Sequence, residues 1–137
     1  MIKAIVPAAL LLASAATAQG ACTQADIAGT WTAYSVGQDD TGRLAWVNCN
    51  LVVGPTGAFT SATSSCTAAK STVQAQGSLK LLSGAKCAYK GSLSIVQAGS
   101  TDPIPSLTLS QDKQSATGVG GRDGGGNVFM FSMMKTK

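Results

Sequence analysis

The chain has no histidine and no glutamate, and its acidic residues are the six aspartates Asp26, Asp39, Asp40, Asp102, Asp112 and Asp123. Hydrolytic, acid–base and metal catalysis mostly draw on histidine, paired carboxylates or thiolates. The usual constellations of an enzyme therefore cannot be assembled. Each aspartate falls instead where turn chemistry favours one: Asp26 in a helix cap, Asp39-Asp40 in a hairpin, Asp102 ahead of Pro103, Asp112 and Asp123 in loops. Charge is scarce as well, at 12% of 137 residues, with ten basic against six acidic side chains and a net charge of +4. That balance fits neither a disordered polyelectrolyte nor a dedicated nucleic-acid binder, and no aromatic–basic platform for stacking bases is present. No Cys-x-x-Cys pair occurs, which removes zinc and thioredoxin-like redox chemistry. The expectation is a binding protein, not an enzyme, with no cofactor and no metal.

The N-terminus addresses the compartment. Lys3 supplies a positive start, residues 4–13 are uncharged and mostly apolar, and Ala16-Thr17-Ala18 offers small residues where a signal peptidase cuts. The apolar run is short of the roughly 20 residues of a transmembrane helix, and Pro7 interrupts it. Residues 1–18 are thus expected to be a signal peptide cleaved near Ala18, and residues 19–137 a single domain, secreted or periplasmic. No membrane span is expected. Lipid attachment at Cys22, after Gly20-Ala21, is the minor alternative, because it would leave three cysteines, an odd number, in an oxidising compartment.

Cys22, Cys49, Cys66 and Cys87 are read as two structural disulfides of an exported protein. Three connectivities are open to four cysteines. Cys49–Cys66 with Cys22–Cys87 is favoured, since Cys49 and Cys66 flank the Gly54-Pro55-Thr56-Gly57 turn and would face each other across a hairpin.

From Gly29 onward short β-rich runs alternate with turn chemistry. Strands are expected at 30–36, 44–53, 58–63, 72–82, 87–96, 106–110, 115–119 and 127–135. Turns are expected at 39–42, 54–57, 83–84, 99–105, 111–113 and the glycine cluster 120–126, and Thr23-Gln24-Ala25-Asp26 reads as a capping box on one helical turn. Val73, Ala75, Gly77, Leu79 and Leu81 share one face while Gln74, Gln76, Ser78 and Lys80 share the other; Tyr89 to Ile95 repeats the pattern. Strands wet on one side and dry on the other, joined by tight turns, give an all-β fold: a small antiparallel up-and-down β-barrel of about eight strands.

At Gly29-Thr30-Trp31, just after the capped turn, the sequence resembles the calycins, which include lipocalins, avidins and small bacterial relatives. The resemblance implies that Trp31 plugs the closed end of a barrel. It also implies that a late basic residue, Lys135 or secondarily Arg122, stacks on it as a cation–π pair. The chain also resembles the Gram-negative periplasmic inhibitors of secreted metalloproteases. That likeness implies a blocking N-terminal tail, here Gln19-Gly20-Ala21, tethered by Cys22.

The inward set is expected to include Trp31, Val47, Leu51, Phe59, Leu79, Tyr89, Leu93, Leu107, Val119, Phe129 and Phe131. Small Ala33 and Ser35 on the first strand would match Phe129, Phe131 and Met133 on the last, which favours a filled interior over a roomy cup. Val128, Met130 and Met134 then point outward beside Tyr34 and Val36, and with Trp46 they make an outer apolar patch. Three functions follow as expectations. The first is an exported interaction module that binds an unidentified protein partner through this patch or its open-end loops, with oligomers possible through the last strand. The others are inhibition of an exported protease and carriage of a small apolar ligand.

Overall fold

The computed structural model describes residues 21–38, 41–68, 71–83, 86–121 and 128–137. Residues 1–18, expected as a signal peptide, and Gln19-Gly20, Asp39-Asp40, Lys70, Gly84, Arg122, Asp123 and the rest of the glycine cluster after Gly121 lie outside the described residues.

A 3-10 turn at Gln24–Ile27 leads into nine strands: β1 (Gly29–Gln38), β2 (Leu44–Val53), β3 (Ala58–Phe59), β4 (Ser65–Ala68), β5 (Ser71–Leu81), β6 (Ala88–Ile95), β7 (Ser100–Leu109), β8 (Ser115–Gly121) and β9 (Val128–Lys135). Every pairing is antiparallel. β1 pairs with both β2 and β9, so the sheet closes on itself. β3 and β4 occupy one position between β2 and β5, which makes an eight-strand barrel from nine strands. Closure pairs β1 with β9 and so removes the edges those two strands would otherwise present to another chain.

The strand expected at 58–63 is cut to Ala58–Phe59, and a separate short strand that the sequence did not suggest follows at Ser65–Ala68. The chain turns at residues 60–64, where Thr63 and Ser64 amides donate to the Thr60 carbonyl. Ser64 repairs the interruption: its buried hydroxyl accepts from the Val52 amide at 3.0 Å, and its carbonyl accepts from the Ala75 amide. The turn expected at 99–105 is instead the first half of β7. Its prolines are accommodated because residues 100–104 pair with β6, while the described β8 pairs only with residues 106–109. Pro105 falls at a β-bulge, where two β7 residues oppose Lys90, a position that tolerates a missing amide proton. The bulge also resets the alternation, so Ile104 and Leu107 both face inward and are buried.

The core runs along the barrel axis and is densest at one end. Trp31, Tyr89, Leu107 and Ile27 have no exposed surface there. Large β9 side chains are matched by small ones on both flanks. Met133 pairs with Ala33 and Ala116, Phe131 with Ser35 and Gly118, and Phe129 with Gly37 and Gly120. The expected matching of β1 to β9 is therefore present in the register. Val119, however, points outward and is 40% exposed. The inward positions of β8 are Ala116, Gly118 and Gly120, because the phenyl rings of β9 lie over them.

Candidate functional site

One barrel end is sealed by the segment before β1. Gln24 bridges to β5, its amide donating to the Leu79 carbonyl (2.9 Å) while its oxygen accepts from the Leu81 amide (2.7 Å). Tyr89 of β6 donates its hydroxyl to the Thr23 carbonyl at 2.8 Å. The Trp31 indole N–H donates to the Ile27 carbonyl at 2.8 Å. Lys135 of β9 places its ammonium 4.9 Å from the centre of a Trp31 ring and donates to the Asp26 carbonyl at 3.1 Å. Gly29, with φ of 140°, brings the chain against β9, where a Cβ would meet the Lys137 carbonyl oxygen at 2.8 Å. Gly29, Trp31 and Lys135 are thus brought together at this end. Cys22–Cys87 clamps the same segment to the start of β6, with the Cα atoms 5.0 Å apart.

Electrostatics follow from these contacts. The Asp26 carboxylate accepts from the Thr23 backbone amide at 2.6 Å, the reciprocal arm of a capping box, and pairs with Lys113 at 2.9 Å. Both hold its carboxyl below the usual aspartate value of 3.8, the Thr23 amide contributing most. Burial pushes the Tyr89 hydroxyl above its usual 10.0, with the nearby Asp26 charge adding to the effect. These groups serve the seal. Among the described residues no group of three or more cysteines or aspartates is placed to hold a metal ion.

The opposite end is open. The interior is not filled throughout, as the count of apolar inward residues implied; it holds a cavity of about 310 Å³ reaching from the mouth down to Leu79 and Leu107. The reason is the distribution of sizes. Toward the mouth the inward positions become Ser35 and Gly37 on β1, Ala45 on β2, Ala98 in the β6–β7 turn and Ser100 on β7. Phe129 and Phe131 stay against the wall, because Gly118 and Gly120 leave room for their rings there: a Cβ on Gly120 would lie 2.1 Å from the Phe129 ring, and one on Gly118 2.5 Å from that of Phe131. The floor and walls are apolar, with Leu51, Phe59, Leu93, Ile95 and the inward Cys49–Cys66 disulfide. Cys49 and Cys66 are directly paired across β2 and β4, with Cα atoms 3.9 Å apart. The polar residues of the lining are Ser35, Gln38, Ser100 and Asp102; Gln38 and Ser100 stand at strand ends by the mouth, and Asp102, opposite Leu93, lies one inward position deeper on β7. The favoured connectivity of both disulfides is the one observed, and no cysteine is free.

Tyr34, Val36, Trp46, Val128, Met130 and Met134 are exposed on the outer wall, joined by Leu44 and Val119. The registers set Trp46 beside Val36, Val36 beside Met130 and Met130 beside Val119. Of the tail Gln19-Gly20-Ala21, only Ala21 lies among the described residues, next to the Cys22 anchor at the sealed end.

Sequence reasoning missed Ile104, placed in a turn, and the cavity itself. The signal for the cavity was there: small residues occupy inward positions on β1, β2, β7 and β8 in the same half of the barrel. Comparison with protein-family models, with curated proteins and with solved structures finds no match. The site is therefore read from its own geometry. Two disulfides accord with an extracellular or periplasmic protein. No helix among the described residues is long and apolar enough to cross a membrane.

Proposed function

We propose that this protein is a non-enzymatic, calycin-like barrel that binds one small apolar molecule in its lumen. The observation that carries the reading is the apolar cavity, sealed at the Trp31 end and open at the other. Ligand pockets begin at roughly 300 Å³ and combine apolar walls with a few polar groups. A dry cavity of about 150 Å³ takes benzene, so this one matches a molecule on the order of a dozen non-hydrogen atoms. Gln38 and Ser100 by the mouth, with Asp102 just below them, favour a ligand with one polar end directed outward. At about 0.5 kcal/mol per atom, such a ligand binds with a dissociation constant of about tens of micromolar. Export through a signal at residues 1–18 fits the two disulfides and puts the barrel where it meets free small molecules.

The test is titration with a naphthol, close to that size, followed by calorimetry and by the ligand's fluorescence. One saturable site is expected, and Leu93→Trp, which fills the cavity from β6, should abolish binding while leaving the barrel folded. A naphthol that does not bind at millimolar concentration, or that binds equally well to Leu93→Trp, overturns the reading.

A further inference from the structure

The outer wall of the barrel is divided into unlike halves. On β5 and β6 the outward positions carry Gln74, Gln76, Ser78 and Lys80 opposite Ser92, Ser94 and Lys90, as expected of a face in water. On β2, β1, β9 and β8 the outward positions carry no charge at all, and they hold every large exposed apolar side chain among the described residues except Val96. One straight row crosses all four strands: Trp46, Val36, Met130, Val119. Leu44 and Val128 extend it toward the mouth, and Tyr34 and Met134 extend it the other way. Trp46 is 79% and Leu44 76% exposed, which is costly for side chains of this kind in a monomer.

Magnitude decides whether this is ordinary surface. The eight side chains present on the order of 900 Å² of apolar area, against roughly 300–600 Å² for the largest patch on a typical monomer. Each partner contributes roughly 800 Å² to a standard-size protein interface. The composition is also that of an interface centre, with Trp, Tyr and Met enriched and charge absent.

We propose that this face is the interface of a two-fold homodimer. Three features select a second copy over another partner. The chain is net positive, and Lys80 and Lys90 face each other on the opposite wall. An acidic partner would be drawn to that wall, whereas two copies meet with least repulsion through the uncharged one. β1, β9 and β8 are each paired on both sides where the row crosses them, so association through this face proceeds through side chains and not by adding a strand. Finally, the row is self-complementary. An axis between Val36 and Met130 lays Val36 on Met130 and sets the protruding Trp46 of each copy over the short side chain of Val119 in the other. Trp46 is then the anchor of the interface. The mouth stays open at the barrel end, so dimerisation and lumen binding are separate properties.

Sedimentation equilibrium of the purified oxidised chain should give twice the monomer mass at micromolar concentration, with a blue shift of Trp46 emission as concentration rises, Trp31 being buried throughout. Trp46→Lys and Val119→Asp should each weaken the dimer on the order of 100-fold, with unchanged circular dichroism and unchanged naphthol titration. Mixed together, the two variants should recover a dimer, because the axis sets the introduced lysine of one copy against the introduced aspartate of the other and leaves one native Trp46–Val119 contact. Three results overturn the proposal: a chain that stays monomeric at high micromolar concentration, a dimer that survives both substitutions, or a mixture that does not associate. A monomer whose Trp46 emission is already blue-shifted at the lowest concentration also overturns it, in favour of a segment of the same chain covering the face.

Discussion

Trp31 has no exposed surface, and its indole N–H is satisfied only because the 3-10 turn brings the Ile27 carbonyl within 2.8 Å. Truncating a buried tryptophan costs about 3–5 kcal/mol, of which its hydrogen bond supplies about 1. The seal is therefore held mainly by packing, and its polar contacts set its pH range. Asp26 has its carboxyl pulled down in the folded state, so its contribution is present above about pH 3.8 and is lost as pH falls through the lower folded value. Asp112, held down by the Ser110 hydroxyl, loses its contribution in the same direction. Tyr89 behaves oppositely. Its hydroxyl is raised, so the stability it confers is complete below about pH 10.0 and disappears as pH rises through the folded value. Urea midpoints measured across pH should accordingly form a plateau that falls at both ends. Asp26→Asn should flatten part of the acid limb, and Tyr89→Phe should flatten part of the alkaline one at the cost of the bond to Thr23. An acid limb unchanged in Asp26→Asn would show that the Thr23 and Lys113 contacts do not form in solution.

β9 is the strand around which the lumen is shaped. Its three large inward residues are flanked on both sides by small ones, and this keeps Phe129 and Phe131 against the wall instead of across the cavity. Gly120→Ala tests the arrangement. The new methyl would meet the Phe129 ring at 2.1 Å, and the ring has somewhere to go, because the cavity lies beside it. The stability cost should stay near the low end of the roughly 1–3 kcal/mol typical of overpacking. Naphthol binding should weaken more than tenfold as the ring swings inward. A variant that loses stability and keeps full affinity would place the cavity elsewhere. Much of this was legible in the sequence wherever alternation was regular, as on β5 and β6, or where spacing fixed partners, as for Cys49 and Cys66 across the 54–57 turn. It was illegible where the period broke. Ile104 hides behind the Pro105 bulge, which shifts parity by one, and Val119 reads as inward because the true inward residues of β8, Ala116, Gly118 and Gly120, carry little hydrophobic signal. The seal was readable from Trp31 and Lys135 because it depends on a few named side chains. The cavity was not, because emptiness is set by small residues on four strands that only the register brings to one level.

At the scale of the whole molecule the two disulfides do different work, and their accessibility separates them. Cys22–Cys87 spans 65 residues and Cys49–Cys66 spans 17. Restricting the unfolded chain over these loops stabilises by about 4 and about 3 kcal/mol respectively. The longer bridge closes the sealed end and is half-buried, so a reductant can reach it from outside. The shorter one faces the lumen, with Cys66 1% and Cys49 5% exposed, and its sulfurs can be attacked only through the mouth or by opening of the barrel. Limiting dithiothreitol followed by alkylation and peptide mapping should therefore find Cys22 and Cys87 labelled first. A saturating naphthol should slow labelling of Cys49 and Cys66 further, since it occupies the path to them, and should leave the rate at Cys22 and Cys87 nearly unchanged. Equal protection of both bridges would mean that the ligand acts by global stabilisation alone. Protection confined to the sealed-end bridge would mean that it binds there and not in the lumen. The pattern of protection thus reports which end of the barrel the ligand enters, independently of affinity.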